Sequence, residues 1–169
     1  MKNIFIPLLA TIAFITAVGL YTQKKGVNIP LSIQTPLPLI KQVDKKEITS
    51  GNTKIQVEVA RSDSERKKGL SGRSFLPEND GMLFVFDQKN VFPSFWMKNT
   101  LIPLDIIWIK GGKITKIDKN IQPPAKNTPD SQLLLYHPDK PIDYVLEVNR
   151  GFSDKNNIKV GNSIDLSEI

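Results

Sequence analysis

The stretch at residues 81–109, GMLFVFDQKNVFPSFWMKNTLIPLDIIWI, limits the possible folds more than any other part of the chain. In residues 82–86 both alternating faces are apolar, with Met82, Phe84 and Phe86 against Leu83 and Val85, and residues 104–109 repeat the pattern. A strand of that kind is covered on both sides, so material must pack above and below it. Between the two, residues 95–100 read as a third strand with Phe95, Met97 and Asn99 on one face and Trp96 and Lys98 on the other. Polar groups set among large apolar ones make this block the place to look for a site.

The flanking segments supply shorter elements. Ile55, Val57 and Val59 alternate with polar residues, which predicts a strand with one wet face. Ser62-Asp63-Ser64-Glu65 matches a capping box and Gly69 stands at a left-handed C-cap, predicting a helix of about two turns. Gly111-Gly112 is a two-residue hairpin signal, with Ile114 and Ile117 in the returning strand. Prolines at 123, 124, 129, 138 and 141 predict a long irregular loop over 121–141, packed by residues 133–136. Strands are expected at 144–148 and 163–166. Many short strands, one clear helix and glycine turns predict a mainly β (α+β) domain, a small closed or half-closed β-barrel with one or two short helices.

Residues 4–21 form an uncharged apolar run of 18 residues, preceded by Lys2 and followed by Lys24-Lys25. That is just long enough to span a bilayer, and 16–19 offers only a weak small-x-small cleavage site. An uncleaved transmembrane anchor, with the following domain exported, is the expectation. Residues 1–23 are read as anchor or signal segment, 24–48 as a linker carrying Pro30, Pro36, Pro38 and a charged end, and 49–169 as the domain. The first fifty residues carry six lysines and two acids, whereas the remainder carries seventeen basic and fifteen acidic residues. The domain is therefore nearly neutral and no basic stripe runs along it, which argues against a nucleic-acid partner. With no cysteine in the chain, thiolate catalysis and Cys-ligated zinc are excluded.

The succession Glu65-Arg66, Gly69-Leu70, Arg73, the block at 81–86, Phe95-Trp96-Met97-Lys98-Asn99-Thr100, Pro103-Leu104-Asp105 and Tyr144-Val145-Leu146-Glu147-Val148 resembles the DUF192 family, also called UPF0127. The resemblance covers roughly residues 53–167. It implies a small β-rich domain, often placed behind a signal or anchor, and brings no established activity, cofactor or catalytic residue.

Asp105 shares a strand face with Ile107 and Ile109, and Glu147 shares one with Val145, so each carboxylate is expected at the edge of an apolar surface. Such groups need partners, and Arg66, Arg73 and Lys98 are the cations at hand. One reading ties the carboxylates to arginines as structure. The other lines a cleft with Trp96, Lys98, Asn99, Asp105 and Glu147, of which Asp105 is the expected cleft residue and at least one carboxylate is structural. His137 stands alone beside Pro138, so no metal site is expected, and neither a Walker loop nor a G-x-G-x-x-G motif calls for a nucleotide cofactor. The function expected from these residues is binding of a small molecule, glycan or peptide by a membrane-anchored, extracytoplasmic domain. The alternatives are a hydrolase or transferase using Asp105 and Glu147 as an acid/base pair, and a structural or protein-interaction module.

Overall fold

The computed structural model describes residues 44–169; the apolar run at 4–21 and most of the proline-bearing linker lie outside the described residues. Among the described residues no helix is long and apolar enough to cross a membrane. The chain divides between Gln42 and Val43, ahead of the boundary expected at residue 49. The segment read as the charged end of the linker is a strand, β1 (Lys45–Ser50), paired antiparallel with β2 (Thr53–Ala60). As an edge strand with a wet face, β1 hides its periodicity among lysines, and only Ile48 is a buried hydrophobic residue there.

Helix α1 (Asp63–Lys68) follows, with the capping box complete: the Glu65 N–H donates to the Ser62 hydroxyl and the Ser62 N–H to the Glu65 carboxylate. Strand β3 (Asp80–Val85) runs parallel to β2. After it come the short β4 (Phe95–Trp96), the long β5 (Leu104–Lys110) and β6 (Lys113–Ile121), the last two joined by the Gly111-Gly112 turn. A single 3-10 turn (Asp130–Gln132) and β7 (Leu135–Tyr136) give the expected loop some order, because β7 pairs with β4 as a separate two-stranded sheet. The third strand expected over 95–100 stops after Trp96. There the chain turns, with Asn99 at φ 56° and the Thr100 N–H donating to the Met97 carbonyl.

Strand β8 (Tyr144–Asn149) and the one-turn helix α2 (Phe152–Lys155) complete the elements. The main sheet has the order β1-β2-β3-β8-β5-β6, so β8 enters between two strands that precede it. Its central strands are apolar on both faces, as the sequence predicts, and two clusters result. One contains Phe84, Met82, Ile106, Trp108 and Val145; the other contains Leu83, Ile107, Ile109, Leu146 and Val148.

Of the closed or half-closed barrel expected, the mainly β character with two short helices is present, but the sheet is not closed into a barrel. Strands β1 and β6 remain the edges of an open sheet, and the expected strand at 163–166 is reduced to isolated bridges. A closed barrel would turn one sheet face into an enclosed interior and the other into an outer wall. Here each face carries a cluster that needs its own cover, and the C-terminal segment supplies part of it on the second face. Its Asp165 N–H donates to Thr49 O and its Ile164 N–H to Gly112 O, both at 2.8 Å, so one segment touches both ends of the strand order.

Candidate functional site

Strand register decides the fate of the two carboxylates. Glu147 lies opposite Met82 on β3 and Ile106 on β5, and its side chain shares the face of Phe84 and Trp108. Asp105 lies opposite Val148, on the other face. The two carboxylates that the enzymatic alternative pairs as acid and base are thus separated by the sheet itself. Asp105 is fully buried and accepts three backbone N–H bonds, from Asn120 at 2.9 Å and from Gly151 and Ser153 at 3.1 Å. It fastens β6 and the start of α2 to β5. Asp105 is therefore the structural carboxylate, and Glu147 is the one that faces a cleft, the reverse of the expected assignment.

Glu147 is 5 % exposed and no hydrogen-bond partner for its carboxyl exists among the described residues. Among the described residues the one wholly enclosed side-chain polar atom without a partner is Ser153 Oγ, so the Glu147 carboxyl is not sealed in; it opens on a pocket. Burial among Met82, Ile106 and Phe84, with no cation in bonding reach, pushes its pKa up to about 8. The carboxyl is consequently protonated at neutral pH and can donate one hydrogen bond while accepting another.

The pocket holds about 250 Å³ and is walled by β3, β8, α1 with its following turn, and the segment from Ser94 to Thr100. Its buried members, Leu70, Phe84, Thr100 and Glu147, form the inner surface, with Phe95 beside them; Phe84 and Phe95 meet edge to face at 4.8 Å. The Thr100 hydroxyl, like the Glu147 carboxyl, has no partner among the described residues. Gly69 belongs to the wall for a steric reason. It sits at φ 48°, and a Cβ there would come within 3.4 Å of the Phe84 ring. The outer members are Asp63, Lys67, Lys68, Ser94 and Trp96, all exposed, the last at 46 %. Trp96 is thus placed at the mouth, with the Lys98 ammonium 5.6 Å from its ring, whereas Trp108 is core and donates from Nε1 to Asp118 at 2.7 Å.

The remaining expected residues serve structure. Arg66 borders the pocket, but its guanidinium donates to the carbonyls of Arg61 and Val85 and to Asp63 and Asp87, tying α1 to the end of β3. Arg73 grips Glu58 with both terminal nitrogens, at 2.6 and 2.5 Å, and that hydrogen-bonded fork holds the Glu58 carboxyl below the usual carboxylate range. It stands outside the pocket wall. Asn99 is exposed, and its carbonyl accepts the Gly72 N–H at 2.8 Å, locking the two turns together. Lys98 pairs with Asp130 at the mouth. Sequence reasoning missed Thr100, Lys67 and Lys68. Thr100 ends the FWMKNT block and could have been included with it, but the lysines follow only from the orientation of a short helix with no buried residue.

A larger hollow of about 500 Å³ lies under the proline loop between Met97 and Leu133, but no buried ionisable group faces it. His137 is exposed and its Nδ1 lies 3.2 Å from the Ser94 hydroxyl. Among the described residues no group of three or more His, Cys, Asp or Glu side chains could hold a metal ion.

These features define a mainly β domain built on an open mixed sheet, with a neutral acid at the base of a small aromatic pocket. The chain belongs to the DUF192 family (Uncharacterized ACR, COG1430), which matches residues 46–166. It is similar in structure to a candidate transcription regulator from Sinorhizobium meliloti 1021, at 27% identity and TM-score 0.65 over 75% of this chain and 97% of that one. It is equally similar to a protein of unknown function from Novosphingobium aromaticivorans DSM 12444, at 28% identity and TM-score 0.65 over 75% of this chain and 89% of the other. No curated protein matches the chain.

Proposed function

We propose that this domain is a binding module that takes a small molecule into the pocket above Glu147. The observation that carries the reading is a carboxyl that is nearly all buried, without a partner among the described residues, and open to that pocket. A buried polar group left without a partner costs about 1–3 kcal/mol, so a ligand that satisfies it gains that much over one that does not. The volume is at the small end for ligand sites, which favours a fragment-sized molecule over an extended glycan or peptide. Acid/base catalysis by Asp105 and Glu147 has no support from the register that separates them.

The reading contains no nucleic acid, although a structural neighbour is described as a candidate regulator of transcription. Much of the domain's positive charge is neutralised in ion pairs such as Arg73–Glu58 and Lys110–Asp143. Export behind an anchor at residues 4–21 belongs to the same proposal, supported by the length of that apolar run. Retention of the full-length protein in carbonate-washed membranes, with its N-terminus intact, is the expected outcome.

The binding test uses the likeness of glutamine to a protonated glutamate. In a fragment screen read by NMR on the full-length protein, hits should shift the signals of Phe84, Phe95 and Thr100. Glu147→Gln should keep their affinity within about threefold, because it still offers one donor and one acceptor, while Glu147→Leu should lose about tenfold. Hits that cluster elsewhere, or that bind the Leu variant unchanged, would remove the pocket as the site.

A further inference from the structure

The pocket carries two kinds of polarity at its two ends, and together they specify an orientation. The inner end offers only uncharged hydrogen-bonding groups, the Glu147 carboxyl and the Thr100 hydroxyl, set among Leu70, Phe84 and Phe95. A bare charge brought there would lose its hydration and meet no opposite charge. The mouth is different. Arg66 is matched by Asp63 and Asp87 and Lys98 by Asp130, but Lys67 and Lys68, both lining the pocket, form no ion pair among the described residues, the Glu58 carboxylate acting on Lys68 only through its charge. Arg66, Lys67, Lys68 and Lys98 thus stand against Asp63, Asp87 and Asp130, and the entrance keeps a small positive excess. A cation would be repelled on approach, and an anion would be drawn in as far as the lysines and no further.

Resting on the pocket reading above, we propose that the ligand is a small amphipathic anion bound head outward. A ring-sized apolar body packs on Phe84 and Phe95, a hydroxyl or amide reaches Glu147 and Thr100, and a carboxylate or phosphate stays at the mouth beside Lys67 and Lys68. Trp96 borders the same opening, where its exposed ring can close over the body of the ligand. The cavity of about 250 Å³ has room for a body of this size.

Four probes built on one benzene ring test the claim on the full-length protein: 4-hydroxybenzoate, phenol, benzoate and tyramine, titrated at low and high salt with binding followed by NMR. 4-Hydroxybenzoate should bind tightest. It should exceed tyramine by about tenfold at low salt, with the gap shrinking as salt screens the mouth. It should exceed benzoate by about fivefold, the worth of the inner hydrogen bonds. The double variant Lys67→Gln/Lys68→Gln should narrow the gap between 4-hydroxybenzoate and phenol by about fivefold, since exposed pairs contribute little each. Tyramine or phenol binding as tightly as 4-hydroxybenzoate, with Phe84 and Thr100 signals moving, would overturn the anion class and leave the pocket standing. Failure of all four probes and of the wider fragment screen to move those signals would overturn both.

Discussion

Glu147 and Asp105 are both buried acids on neighbouring strands, but Asp105 accepts three backbone N–H bonds and Glu147 has no partner among the described residues. In the unfolded chain Glu147 loses its proton near pH 4.5, whereas in the fold it keeps it until about pH 8. Between those values the unfolded state binds fewer protons, so stability falls as pH rises through the window. The loss from this one group should reach up to about 3 kcal/mol by pH 7, and Glu147→Gln should abolish it. Denaturant melts of both proteins at pH 5 and 8 provide the check, and an unchanged pH slope in the variant would mean the carboxyl is solvated. Asp105→Asn should act the other way. It replaces one acceptor oxygen by a donor facing the backbone N–H groups of Asn120, Gly151 and Ser153, at a cost of about 2–4 kcal/mol with no effect on ligand affinity.

At the level of elements, the strands with apolar residues on both faces were legible, because burial on two sides leaves an unbroken apolar run. So was α1, whose capping box needs only local residues. What escaped was set by pairing. Which face Asp105 and Glu147 take depends on how β8 aligns with β5, and no residue in either strand states that alignment by itself. Edge strand β1 was hidden by its lysines, and sheet closure was overread because short strands and glycine turns are common to barrels and open sheets alike. The β3–β8 seam gives the prediction at this scale. Gly81 packs so closely on β8 that an added Cβ would stand 2.7 Å from the Glu147 carbonyl oxygen, backbone that cannot step aside. Gly81→Ala should therefore cost about 1–3 kcal/mol through forced separation of the strands, and should weaken any pocket ligand as well. A variant with wild-type stability would show that β8 is free to shift.

For the whole molecule, the C-terminal segment is the piece that touches both edges of the strand order. Ile164 is 4 % exposed and packs in the second cluster, and the Ser50 hydroxyl donates to Ser163 O at 3.1 Å. Truncation after Gly161 should speed amide exchange in β1 and in the β5–β6 turn while leaving β3 and β8 protected. Uniform loss of protection would mean that the sheet cannot stand without its tail.

The sheet order bears on the birth of the protein as well as on its shape. The chain emerges in sequence, from an export channel as from a ribosome, so Phe84 on β3 and Trp108 on β5 appear well before Tyr144–Asn149, the strand that joins their neighbourhoods. Until then the β1–β2–β3 half and the β5–β6 hairpin have no strand pairing with each other, and each presents a bare, strongly apolar edge. The nascent chain consequently passes through a long interval in which two sticky halves await one late strand. A holding factor that binds it then has a defined target in that open seam, and resistance to protease should appear in a single step when β8 is out.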